Sequence, residues 1–128
     1  MGCVVDINKL DDIPAFSPPH HTKTTDRKII DETTGAKNLA LWHGEIEPGG
    51  VAELHVHEEM EQAFIVLGGK GSFMVEDQEY TLGEGSIIFI PAKQPHQVTS
   101  VGDSTLKLLI MMAPPPSSMA AWQKQSSD

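Results

Sequence analysis

Between Lys28 and Met112 short apolar runs alternate with glycine, proline or acidic residues every 8 to 12 positions. Spacing of this kind marks successive short strands joined by tight turns. It predicts strands at 28–33, 38–46, 52–57, 61–68, 71–76, 78–82, 86–90, 96–101 and 105–112. None of the turns between them leaves room for a crossover helix. The expected fold class is therefore all-β, an antiparallel sandwich or barrel.

The flanks read differently. Residues 1–27 hold one short apolar run (Val4, Val5, Ile7) followed by Pro14, Pro18 and Pro19, and are expected to form an edge strand and a loop. Residues 28–113 make up the barrel, and 114–128 form a proline-rich tail. Within that tail Ser117 can cap a short helix through Ala120 to Lys124, or the tail frays. Gly49, Gly50, Gly68, Gly69, Gly83 and Gly85 fall at the expected turns.

Composition narrows the function. The chain has 128 residues, enough for one domain. Nine Lys and Arg against 18 Asp and Glu give a net charge of −9, which opposes nucleic acid and anionic membrane as partners. No apolar run approaches the roughly 20 residues that cross a bilayer. The N-terminus lacks a basic region followed by an apolar stretch, so a cytoplasmic location is expected. Asp6 stands where a myristoylation pattern wants Ser or Thr, and the lone Cys3 cannot form an internal disulfide.

The candidate chemistry is concentrated in four residues. His55 and His57 are one residue apart, so on a strand both imidazoles point to the same side. Glu61 follows after a three-residue turn, and His96 opens another predicted strand. Two imidazoles with a carboxylate suit iron, manganese and similar ions, and a further imidazole completes the set. His55, His57, Glu61 and His96 are the expected ligands of one divalent metal ion: Fe, Mn, Ni or Zn. His20, His21 and His43 read as surface or hydrogen-bonded histidines.

Gly49, five residues, His55-Val56-His57, three residues, Glu61, six residues and Gly68 match the first motif of the cupin family. Gly85, five residues, Pro91 and then His96 resemble the second. Lys93 and Ser100 depart from that second motif, where the family often has Gly and Asn. The chain most resembles small single-domain conserved-barrel cupins. That resemblance implies a double-stranded β-helix, or jelly-roll barrel, with the His, His, Glu and His positions holding metal at its mouth. It also implies a homodimer, expected here to pair through the apolar strand in residues 1–10.

Strand alternation gives a candidate substrate pocket of Trp42, Ala63, Ile65, Ser100, Leu108, Ile110 and Met112. Lys107 and His43 are then expected to face away. No second acid, base or nucleophile stands out. The expected function is a metal-dependent enzyme acting on a small oxygen-bearing molecule, of dioxygenase, isomerase or lyase type. The alternative is a non-catalytic module that binds a small molecule or metal.

Overall fold

The computed structural model describes residues 2–116; the helix expected after Ser117 lies outside them. Nine strands follow one another: β1 (Ala15–Phe16), β2 (His21–Ile30), β3 (Ala40–His55), β4 (Glu61–Gly68), β5 (Lys70–Val75), β6 (Gln78–Gly83), β7 (Ile87–Ile90), β8 (His96–Ser100) and β9 (Leu106–Ala113). A single 3-10 turn at Glu32–Thr34 is the only helical element among the described residues. No helix there is long and apolar enough to cross a membrane.

β3 organises the barrel. Its first half, Ala40 to Ile46, pairs with β9, and its second half, Val51 to His55, pairs with β8. The strand order β6-β5-β8-β3-β9-β4-β7 follows, with β2 lying along the other side of β3. The two predicted strands 38–46 and 52–57 are thus one continuous 16-residue strand, bent in the middle. Glycines make the bend possible. Gly49 has φ +84°, and a Cβ on Gly50 would sit 2.7 Å from both Ile46 Cγ2 and the Thr22 carbonyl oxygen. The chain folds as an all-β double-stranded β-helix.

The core lies between the two halves of this curled sheet. Trp42 and Ile46 from β3, Phe64 and Val66 from β4, and Leu106, Leu108, Ile110 and Met112 from β9 are buried there. Phe73, Val98 and Ile90 close it from β5, β8 and β7. On β9 the expected alternation is observed, with Lys107 outward and exposed. Each buried Leu, Ile or Phe side chain contributes about 1.5–3 kcal/mol relative to exposure.

Three expectations need correction. The apolar run Val4, Val5 and Ile7 forms no strand. Instead Leu10 is buried, and Arg27 Nε donates to the Ile13 carbonyl oxygen at 3.1 Å, tying this segment across the outside of β2. Strand pairing begins earlier than Lys28, because β2 runs from His21 along β3. Its polar sequence HTKTTD concealed it.

His43 is the third. It was expected to face solvent, yet it is only 4% exposed. Leu10, Arg27, Glu45 and Lys107 line a surface depression with it on the outer face of β3. At the departures from the second motif, Lys93 adopts φ +72°, the conformation a glycine would take at less cost. Its N–H donates to the His57 carbonyl oxygen at 2.7 Å, so the turn holds its shape and pins the loop beside it. Ser100 is buried with no hydrogen-bond partner for its Oγ.

Candidate metal centre

β3 ends at His55 and β8 begins at His96, and the two residues are paired across the ladder. His57 follows two residues later, where the chain turns toward β4. The three rings meet, with centroids 4.3 Å apart for His55 and His96, 4.9 Å for His55 and His57, and 5.4 Å for His57 and His96. They are 6%, 2% and 1% exposed for His55, His57 and His96.

One nitrogen from each ring lies within 4.8 Å of the others. An ion bound at about 2.0–2.1 Å separates neighbouring ligand atoms by roughly 3 Å, so only small side-chain movements are needed to enclose one. The ring orientations favour it. His55 Nδ1 donates to the Glu53 carbonyl oxygen at 2.6 Å, and His96 Nδ1 donates to that of Gln94 at 3.0 Å. A carbonyl can only accept, so the proton sits on Nδ1 and the Nε2 lone pair is left for a metal. The donor set fits a divalent ion.

The electrostatics agree. Burial, then the charge of His96, holds His55 well below the usual imidazole range. Burial likewise pushes His96 down to about 4. Both are neutral at pH 7, which is the form that ligates.

Glu61 does not join them. It is exposed and stands outside the histidine group. The reason is register. Glu61 pairs with the half-buried Ala113, whereas Gln62 pairs with Met112, whose side chain is fully buried. Residues opposite each other on an antiparallel ladder share a face, so Gln62, Phe64 and Val66 point inward. Ala63 and Ile65, expected in the pocket, point to the other face and are half-buried. Gln62 is buried, and neither its Oε1 nor its Nε2 has a hydrogen-bond partner.

A cavity of about 30 Å³ adjoins the centre, lined by His55 and Gln62 with Phe64, Val98, Leu108 and Ile110. That is room for about one or two waters. Of the expected pocket residues, Leu108 and Ile110 line it. Trp42, Ser100 and Met112 are buried elsewhere in the core, Trp42 edge-on to Phe16 at 5.1 Å. The cavity also holds residues that sequence reasoning passed over: His21, Thr24 and Asp26 of β2. His21 lies 5.9 Å from His55 between ring centroids. A register shift between Thr22 and Thr24 brings His21 to the same side as Thr24 and Asp26.

This is a β-barrel whose three buried histidines could hold a metal ion, and comparison with known proteins places it. Residues 42–112 match the cupin domain family, and the chain belongs to it. In structure the chain is similar to the polyketide cyclase RemF from Streptomyces resistomycificus, at TM-score 0.76 and 30% identity, covering 88% of this chain and 80% of that one. It is 29% identical to auxin-binding protein 1 of Arabidopsis thaliana over 64% of this chain and 46% of the relative. It is also 29% identical to the oxalate decarboxylase OxdC of Bacillus subtilis, over 63% of this chain and 22% of that protein. The chain spans about half or less of the curated relatives it matches.

The depressed histidines predict how metal-free protein responds to acid. Between pH 6.5 and about 4 the unfolded chain takes up a proton at His96 that the native chain refuses, so stability falls as pH falls through this window. For His96 alone the loss approaches about 3 kcal/mol at pH 4. Asp26 acts oppositely, since its pKa is raised from 3.8 to about 7 and its contribution is lost as pH rises. Urea unfolding at pH 7 and pH 4.5 isolates the histidine: His96→Asn should lose less stability on acidification than wild type. Equal losses would contradict the assignment.

Proposed function

We propose that this cupin binds one divalent metal ion through His55, His57 and His96 and is an enzyme acting on a small oxygen-bearing organic molecule. The observation that carries the reading is the buried histidine triad, with two of its rings fixed through Nδ1. Gln62 is proposed as a neutral fourth donor through Oε1, in the role first assigned to Glu61, with His21 beside it. When bound, the ion acts as a Lewis acid on a substrate oxygen.

Within the expected types, the donor set favours isomerase or lyase chemistry over dioxygenase chemistry. Oxygen-activating iron centres commonly use two histidines and one carboxylate. Here the inward donors are all neutral, which leaves the ion's charge uncompensated and strengthens its pull on a carbonyl oxygen. Apolar walls at Phe64, Val98, Leu108 and Ile110 strengthen that pull further by excluding water. The likeness to a polyketide cyclase and to an oxalate decarboxylase supports an enzyme. The small cavity and the likeness to an auxin-binding protein support the second reading, a module that binds without turnover.

Metal analysis of protein purified without chelator tests the centre. Wild type and Glu61→Gln should each carry about one ion per chain, and Gln62→Ala should bind it about 10–100-fold more weakly. A double variant His57→Ala, His96→Ala that stays fully occupied would reject the site. A homodimer belongs to the same proposal. β7 ends the sheet, with Ile87 and Phe89 exposed on it, and a second copy would cover them. Sedimentation should show a dimer at micromolar concentration; a monomer throughout would contradict it.

A further inference from the structure

We propose that Asp26 is a catalytic acid–base group, moving a proton at the carbon beside the carbonyl of a small ketone or aldehyde. The inference deepens the enzymatic reading above and rests on it for the class of molecule, with side-chain movement widening a cavity that as it stands holds about one or two waters.

Three observations converge on Asp26. Its side chain is 5% exposed and lines the cavity that His55 also lines. Burial is the cause that raises its carboxyl. A buried carboxylic acid costs stability, and a residue serving the fold alone would be better replaced by an apolar one. The third is the room made for it. Gly44 stands opposite on β3, and a Cβ there would come within 2.9 Å of Asp26 Oδ1 and 3.0 Å of Ile110 Cδ1. A larger residue at this position would press on the carboxyl and on Ile110, and glycine leaves both their room.

Burial lifts this carboxyl from its usual 3.8 to about 7, where it both accepts and returns a proton near neutral pH. The titratable groups facing the same cavity are His21 from β2 itself and His55 from β3. β4, β8 and β9 contribute Gln62 and apolar side chains to the cavity, and on β1 the ladder partner of Asp26 is the apolar Phe16. No lysine, arginine or second carboxylate lines the cavity among the described residues.

The step needs no oxidant or co-reactant. Asp26 as carboxylate accepts the proton as the C–H bond beside the carbonyl breaks. The released electron pair forms a C=C bond, and the carbonyl π pair moves onto oxygen. Return of a proton from Asp26 to the same carbon restores the ketone, with exchange against solvent. Return to another carbon of a conjugated system shifts the double bond, which is an isomerisation.

Proton NMR of zinc-loaded protein in D₂O with hydroxyacetone and 2-butanone as probes tests the proposal. Wild type should exchange the hydrogens beside the carbonyl faster than buffer, with a rate that rises through one ionisation that Asp26→Asn removes. Asp26→Asn should lose about 100-fold of this rate with unchanged zinc content, and Asp26→Glu should recover part of it. A wild type no faster than buffer, or Asp26→Asn exchanging as fast as wild type, would overturn the assignment. Zinc content of the same samples separates this failure from failure of the metal centre. Infrared titration of the metal-free protein gives a second readout. The protonated carboxyl band should disappear near pH 7 in wild type and be missing in Asp26→Asn; its loss below about pH 5 would also overturn the proposal.

Discussion

The pairing of His55 with His96 across β3 and β8 is the constraint on which the site depends. β3 is long enough to serve both halves of the barrel, and it does so only because Gly49 and Gly50 let it bend. The bend delivers His55 to β8 while Trp42 and Ile46 remain in the core against β9. Ligands mounted on a hydrogen-bonded ladder need little further ordering when an ion arrives, and that preorganisation favours binding. His57 lies beyond the ladder, and the Lys93 N–H to its carbonyl oxygen supplies the missing restraint.

The barrel, the histidine triad and the inward face of β9 were legible in the sequence because each rests on alternation within one well-patterned strand. Glu61 stands outside the triad for a physical reason. The turn after His57 resets the phase, and sequence spacing cannot tell whether residue 61 or 62 enters β4 facing inward. Pairing of Gln62 with the buried Met112 decides it. The same slip moved Ala63 and Ile65 out of the pocket. β2 was hidden for another reason. Its inward residues Thr24 and Asp26 are polar, and its register shifts at Lys23, so it lacks the apolar alternation of a strand that serves only the core.

Those polar inward residues carry a cost in stability. Gln62 and Ser100 are buried with no hydrogen-bond partner, and such groups cost about 1–3 kcal/mol each. Asp26 adds a carboxyl that burial keeps from ionising until about pH 7. On the opposite wall, Phe64, Val98, Leu108 and Ile110 are ordinary core side chains. The cavity therefore sets Thr24 and Asp26 of β2, Gln62 and His55 beside an apolar wall.

X-ray absorption of the zinc-loaded protein tests the central claim most directly, because it counts ligands without requiring a substrate. The account predicts a nitrogen and oxygen first shell at about 2.0–2.1 Å, with the outer-shell scattering of three imidazoles. The spectrum should be unchanged in Glu61→Gln. A shell with fewer than three imidazoles, or one that changes when Glu61 is altered, would contradict it.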